Sequence, residues 1–343
     1  MPRYGKAVND YVIKRQKLVH LHLVRRRKYN VSLTSFIKMP DVVARIEPLR
    51  PKLPRKIVAP IKVEPRSDRY MLVGTAFDYL LRFELQRRAP HAVAERWVAE
   101  SAPYSGISWE PEMTTVECEE LFDDGIDPGD YLTLEEVLKQ VEVTIAEAKA
   151  AVAAYVKNKA PNRARQTDLA AHAIRLAKLD SVSRGRPLDP QFEKVDPEDV
   201  QDLLDLLAIV PFDTLLHKEV LLLNPTFGDS SRIVGGADAD LIIGNLLVDC
   251  KATKKSEIRA RDLDQLLGYY LLARNQRHTD STFPAIDRLG LYYCRHGHLW
   301  TVEATVWTGH PQFSETEKWF FRRAREVFGS SRLPAAMGNR RLS

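Results

Sequence analysis

GGADADLIIGNLLVDCKATKK, residues 235–255, contains two short apolar runs on either side of Gly244 and Asn245. A two-residue connection with glycine in its first position is typical of a type II′ turn, so the two runs are predicted to form a β-hairpin. In this register Ile243 faces Leu246. Because side chains alternate between the two faces of a strand, the register also decides which residues share a face.

Four charged side chains are predicted to share one face of this hairpin, since Asp240 faces Asp249 and Asp238 faces Lys251. Facing residues have Cβ atoms roughly 4.5 to 5.5 Å apart, and two carboxylates at that range repel unless a positive charge lies between them. Carboxylates and water suit Mg²⁺ or Mn²⁺. The face therefore predicts a divalent cation held by Asp240 and Asp249; the alternative is a solvent-facing hairpin with cross-strand ion pairs.

The opposite face is expected to be the core side of the hairpin and to pack against a helix. Lys251 would lie on the charged side, where an ammonium can orient an attacking water or stabilise negative charge that develops on a phosphate. These are the components of phosphodiester hydrolysis. The predicted core side consists of Leu241, Ile243, Val248, Cys250 and Ala252.

The spacing of three of these residues resembles a known motif. Asp240, eight intervening residues, Asp249, one residue and Lys251 look like the motif of the PD-(D/E)XK phosphodiesterase superfamily. Gln265 and Tyr269, one helical turn apart in QLLGYYLL, are similar to the QxxxY helix of the RecB-like branch. The resemblance implies a restriction-endonuclease-like mixed central sheet flanked by helices, with both residues beside the active site; ordinary helix packing is their alternative role.

A third metal ligand is less clearly indicated. GTAFDYLL resembles the upstream helix of that branch, with Asp78 where the family has a histidine, and a surface aspartate is the alternative. Glu219 is a weaker candidate, and Ala239 replaces the family's proline. The resemblance covers about residues 215–307 and this helix, and it implies Mg²⁺-dependent (or Mn²⁺-dependent) cleavage of nucleic acid, with DNA expected, in prokaryotic or phage repair, recombination or defence.

The intermixed order of strand and helix patterns predicts an α/β or α+β fold, with the helical middle of the chain inserted before the sheet. Strands are expected at 219–224, 237–243, 246–252 and 289–305. Helices are expected from Gly74, over 133–157, around 168–179, from Asp196 and Pro197, over 261–274, and over 315–327.

The net charge of +5 is unevenly distributed, because residues 1–66 hold 17 Lys and Arg against 4 Asp and Glu. We interpret 1–66 as a basic arm with a proline-rich linker, 67–330 as the nuclease-like domain with a helical insertion around 130–210, and 331–343 as a basic tail. The prolines between Pro40 and Pro65 predict extended backbone rather than helix in the linker. A basic arm favours nucleic acid as the partner. An anionic membrane surface, a solvated arm and a protein partner remain open.

Other features narrow the classes of protein that fit. No run of about 18 apolar residues occurs, and the basic N-terminal residues lack the apolar segment and cleavage site of a secretory signal, so a cytoplasmic protein without a membrane span is expected. Three distant cysteines without a CxxC pair argue against a disulfide framework. Zinc ligation by Cys294, His296 and His298 is disfavoured because Gly297 is expected at a turn. Two alternatives to an enzyme stay open: a catalytically silent nucleic-acid-binding module, or a partner-bound subunit on the same fold.

Overall fold

The computed structural model describes residues 11–14, 32–54, 56, 59–104, 131–189, 191–217 and 219–329. Residues 1–10, 15–31, 55, 57 and 58 of the predicted basic arm and the whole predicted tail at 331–343 lie outside these residues. Among the described helices, none combines the length and the apolar character needed to cross a membrane.

The helices begin where the sequence supplies suitable caps. Asp196 accepts a hydrogen bond from the backbone N–H of Glu198 at the start of the helix that follows Pro197, as predicted. The helices are α1 (Leu33–Phe36), α2 (Pro40–Ile46), α3 (Tyr70–Arg88), α4 (Leu134–Val156), α5 (Arg163–Ser183), α6 (Pro197–Ala208), α7 (Phe212–Leu215), α8 (Gly228–Ile233), α9 (Ala260–Thr279), α10 (Thr305–Thr308) and α11 (Phe313–Gly329).

The strands form a two-stranded sheet and a six-stranded sheet. The strands are β1 (Tyr11–Lys14), β2 (Val93–Ala94), β3 (Tyr131–Thr133), β4 (Leu221–Leu223), β5 (Leu241–Ile243), β6 (Leu246–Lys251), β7 (Arg288–Tyr293) and β8 (His298–Glu303). The larger sheet has the order β2-β4-β5-β6-β7-β8, with β2–β4 and β6–β7 parallel and the other pairs antiparallel. The predicted mixed α/β class is therefore confirmed.

The chain divides into two compact units. The first contains Val63–Pro90 and Arg96–Val210, and its helices α3, α4, α5 and α6 pack against one another. The second contains Val31–Lys62, His91–Glu95 and the chain from Pro211 onward, and therefore the whole six-stranded sheet. The nuclease-like domain over 67–330 and its helical insertion around 130–210 stay predictions.

The predicted hairpin register is confirmed. Ile243 pairs with Leu246, and Leu241 pairs with Val248. Gly244 has φ +61°, whereas Asn245 does not have a positive φ, as a type II′ turn requires. The turn therefore fixes which residues of β5 and β6 face each other.

We expect Gly244→Ala to lower the free energy of unfolding by about 1 to 3 kcal/mol, because an L side chain is strained at this φ. The added Cβ would also lie 3.0 Å from the His217 imidazole. Gly329→Ala is the control, since a Cβ at Gly329 meets nothing within 4 Å and its φ is not positive. Equal denaturant midpoints for the two variants would show that the turn is not strained by a side chain.

Parallel strands need a crossover connection, and α9 is the crossover from β6 to β7. Its apolar residues, including Leu266 and Leu267, share one buried core with Ile242, Leu247 and Leu289 of the sheet. The helix therefore packs on the face of the sheet that carries these three strand residues.

The prediction of an extended linker is wrong for residues 40–49. This segment forms α2 and a short 3-10 helix, and Val42, Ile46 and Leu49 are buried in the core of the second unit. Pro40 occupies the first turn of α2, where its missing N–H costs no helical hydrogen bond. A proline such as Pro40 can therefore begin a helix, and the prolines of this segment did not require extended backbone.

Candidate functional site

Asp249 and Lys251 lie at the end of β6 and form a buried ion pair. Lys251 Nζ is 2.5 Å from Asp249 Oδ2, and the two side chains are only 14% and 6% exposed. They point to the same side because they are two residues apart on one strand. A buried ion pair of this kind needs further partners to be stable.

Those further partners come from α9. The Lys251 ammonium donates a hydrogen bond to Gln265 Oε1 over 2.9 Å, and Gln265 Nε2 donates to the Tyr269 hydroxyl, also over 2.9 Å. The Tyr269 ring stacks on Phe227 at 5.7 Å between centroids. The two sequence motifs, which are separated along the chain, thus form one continuous row of bonded side chains.

Asp240 lies in the bend immediately before β5, next to this row. Its Oδ2 accepts a hydrogen bond from the backbone N–H of Cys250, and its backbone oxygen accepts one from Asn224. The backbone pairing of β5 and β6 ends at Leu241 and Val248. Beyond that point, the Asp240 carboxylate replaces a backbone oxygen as the acceptor for the Cys250 N–H. The Asp240 carboxylate therefore contacts the backbone of Cys250, the residue that follows Asp249.

Asp262 belongs to the same cluster and was not predicted. It is 2% exposed, accepts two hydrogen bonds from the Arg259 guanidinium, and lies 3.8 Å from Lys251 Nζ. Its position three residues before Gln265 and seven before Tyr269 places all three on one helix face. An aspartate three residues before Gln265, on the same helix face, was the sequence feature that could have identified Asp262 as part of the cluster.

The cluster carries more negative than positive charge. Among the residues that the structure describes, four aspartates of the cluster face two cations when ionised, a formal balance of −2; the residues are Asp238, Asp240, Asp249 and Asp262 against Lys251 and Arg259. The close carboxylates also act on Tyr269, whose pKa is raised by burial and then by Asp249, Asp238 and Asp240.

Burial opposes charge at both members of the central ion pair. Burial raises the pKa of Asp249 above its ordinary value, although Lys251 acts in the opposite direction. Burial alone would lower the pKa of Lys251, but Asp249, Asp262 and Asp240 outweigh it, and the net shift is upward. A further cation would relieve the cost of ionising Asp249.

A helix also covers the charged face of the hairpin, which the sequence did not predict. The face with Asp249 and Lys251 is the one on which α9 lies, as the bond from Lys251 to Gln265 requires. Leu241 and Val248 on the other face are buried as well. The charged face is buried because α9 crosses over it between β6 and β7.

The two candidates for a third ligand lie elsewhere along the chain. Asp78 is in α3, in the first unit, where its Oδ2 is 2.6 Å from the Arg82 guanidinium. Its role as a ligand stays a prediction. Glu219 precedes β4 at the turn end of the hairpin, five residues before Asn224, which bonds Asp240. At about 3.3 Å per residue of extended chain, Glu219 lies about 16 Å from Asn224. Glu219 is therefore distant from Asp240.

The described residues contain no group of three or more His, Cys, Asp or Glu side chains arranged to hold a metal ion. The donors that are present still suit Mg²⁺, which is typically bound by one or two carboxylates with water and substrate phosphate as the other ligands. The fit rests on the buried carboxylate of Asp249, the adjacent carboxylate of Asp240 and the negative balance of the cluster.

Cys294 and His296 lie in a 3-10 turn rather than on a strand, and Gly297 has a left-handed φ of +55°. The predicted break in alternation before His298 is therefore confirmed. His296 Nδ1 is 3.0 Å from the backbone oxygen of Ala59. This arrangement gives no support to a zinc site.

We expect Tyr269→Phe to lower the free energy of unfolding by about 1 kcal/mol, because the Gln265 amide loses its acceptor while the ring keeps its stacking on Phe227. Tyr70→Phe is the control, since Tyr70 is exposed. Denaturant titration measures both. Identical midpoints for the two variants would mean that the hydroxyl does not brace Gln265.

Comparison of the chain with family models, with curated proteins and with solved structures gives no match.

Proposed function

We propose that the chain is a metal-dependent nuclease of the PD-(D/E)XK type, which hydrolyses phosphodiester bonds of nucleic acid, with DNA as the expected substrate. One observation carries the proposal: Asp249, Lys251, Gln265 and Tyr269, which come from two separate motifs, are bonded in one row. Asp240 lies beside that row. Ordinary helix packing does not require polar residues of two motifs to meet in this way.

The topology supports the same proposal. The candidate residues lie at the end of β6 and on the helix that crosses from β6 to its parallel neighbour β7. A mixed sheet with helices agrees with a restriction-endonuclease-like fold, although other mixed folds share these features. The fold assignment is therefore part of the proposal.

Each residue has a role that follows from its contacts. Asp240 and Asp249 would hold Mg²⁺ or Mn²⁺. A bound divalent cation polarises a phosphoryl oxygen and lowers the pKa of a bound water. Lys251 presents an ammonium to the phosphate or to the attacking water, and Gln265 fixes the direction of that ammonium through its bond to Nζ.

The test is a gel assay with single-stranded and double-stranded DNA, in linear and circular forms, with RNA alongside. The purified chain is incubated with Mg²⁺, with Mn²⁺ or with a chelator. We expect strand scission with either metal and none with the chelator. Intact substrates under every divalent ion would refute the proposed activity, and cut circles would assign endonuclease action.

The second candidate function is a nucleic-acid-binding module without turnover. It is favoured by the internal partners of both carboxylates, since Lys251 pairs with Asp249 and the Cys250 backbone N–H pairs with Asp240. Such a module would bind DNA equally well in chelator and would cut nothing. A partner-bound subunit would instead show little affinity for free DNA and an association that salt does not weaken.

A further inference from the structure

We propose that Lys56, Lys254, Lys255 and Arg261 form a basic rim that binds the phosphate backbone of a nucleic-acid strand beside the candidate site. The nature of the ligand rests on the proposed function. The rim itself is defined by the path of the chain and by the exposure of these four side chains.

The path of the chain brings the four residues to one place. β6 ends at Lys251, and the chain reaches α9 through a loop that contains Lys254 and Lys255. Arg261 is the second residue of α9. Lys56 comes from a distant part of the sequence, but its backbone forms an antiparallel bridge with Glu257 in the same loop.

The four cations of the rim differ from the cations inside the site because they are exposed and form no ion pair among the described residues. All four side chains are exposed, and within the described ranges none of them forms an ion pair with a carboxylate. Lys251 and Arg259, by contrast, are held by Asp249 and Asp262. With exposed Glu257 counted, the rim has a formal charge of +3.

The positive charge of the rim would attract a polyanion that approaches the candidate site. The candidate site has a formal balance of −2, so it repels a phosphate strand until a cation binds. Exposed cations next to it offset that repulsion, and each phosphate that they neutralise releases counterions.

The experiment compares two full-length variants that each lose four positive charges. The rim variant carries Lys56→Gln, Lys254→Gln, Lys255→Gln and Arg261→Gln. The control variant carries Lys38→Gln, Lys318→Gln, Arg322→Gln and Arg325→Gln, which are exposed residues of the same unit without ion pairs among the described residues. Fluorescence anisotropy with a labelled DNA duplex, in chelator and at several salt concentrations, gives the affinity of each.

We expect the slope of log K against log salt to become less steep by about 3 to 4 in the rim variant, since each lost phosphate contact changes it by about 0.9. The control variant should keep the slope of the unaltered chain. Equal slopes for the two variants would overturn the proposal. So would an unaltered chain without salt-dependent DNA affinity.

Cleavage measured in parallel with Mg²⁺ separates the two proposals. If the unaltered chain cuts DNA but the rim variant binds as the control does, the rim is wrong and the nuclease proposal stands. If no chain cuts DNA but the rim variant loses affinity for it, the rim proposal stands and the chain is a binding module rather than a nuclease.

Discussion

Asp249→Asn is expected to lower the rate of DNA cleavage in Mg²⁺ by at least about a thousandfold. A bound metal contributes several kcal/mol to phosphoryl chemistry, and each 1.36 kcal/mol corresponds to about a factor of ten in rate. Asparagine has nearly the shape of aspartate but lacks its charge, so the fold should survive while the cation is lost. Gel assays and thermal unfolding of the same preparation measure the two effects separately.

Asp213→Asn is the matched control for this substitution, because Asp213 is an exposed aspartate in the same unit. It should leave cleavage unchanged. The Asp249 variant still has Asp262 at 3.8 Å from Lys251 and Gln265 at 2.9 Å, so the ammonium keeps two partners. Cleavage by a folded Asp249→Asn chain at the unaltered rate would remove Asp249 from the mechanism.

Glu84→Gln is expected to have the largest effect on stability, about 3 to 5 kcal/mol, in the first unit. Glu84 is 1% exposed and accepts hydrogen bonds from Arg87, Arg88 and Tyr155. Glutamine leaves the two guanidinium groups without a carboxylate. Denaturant unfolding should therefore show a much lower midpoint for this variant.

The same substitution should flatten the acid dependence of stability. Burial raises the pKa of Glu84, but hydrogen bonds from Arg87, Tyr155 and Arg88 outweigh it, so the net pKa lies below its ordinary value. A depressed carboxyl pKa contributes stability that is fully present above the unfolded pKa of about 4.5 and is lost as the pH falls through the folded pKa. The difference between the two chains should therefore shrink below about pH 4.5.

Glu315→Gln is the control for Glu84, because the Glu315 side chain is 75% exposed in its pair with Arg45. Exposed pairs contribute less than about 1 kcal/mol. A Glu84 variant no less stable than the Glu315 variant, or a difference that does not change with pH, would show that the buried network does not stabilise the first unit.

The register of the hairpin was predictable because its causes are local. Gly244 and Asn245 specify the turn, and strict alternation then assigns each residue of β5 and β6 to a face. The grouping of Asp249 with Lys251 follows from a spacing of two on one strand. The link to Gln265 and Tyr269 was available only as a resemblance.

Non-local contacts explain what the sequence did not predict. The burial of the charged face depends on α9 returning over β6 before β7, and a hairpin pattern contains no information on that path. Val42 and Ile46, four residues apart, did signal an apolar helix face, but the prolines around them dominated the interpretation. The division into two units depends on tertiary packing in the same way.

The central claim is that Asp240 and Asp249 hold a divalent cation, and titration of Mn²⁺ followed by electron paramagnetic resonance tests it most directly. The account predicts that the full-length chain binds Mn²⁺ and that the double variant Asp240→Asn, Asp249→Asn loses this binding while it stays folded. Binding of Mn²⁺ by the double variant as tightly as by the unaltered chain, or no binding by the unaltered chain, would contradict it.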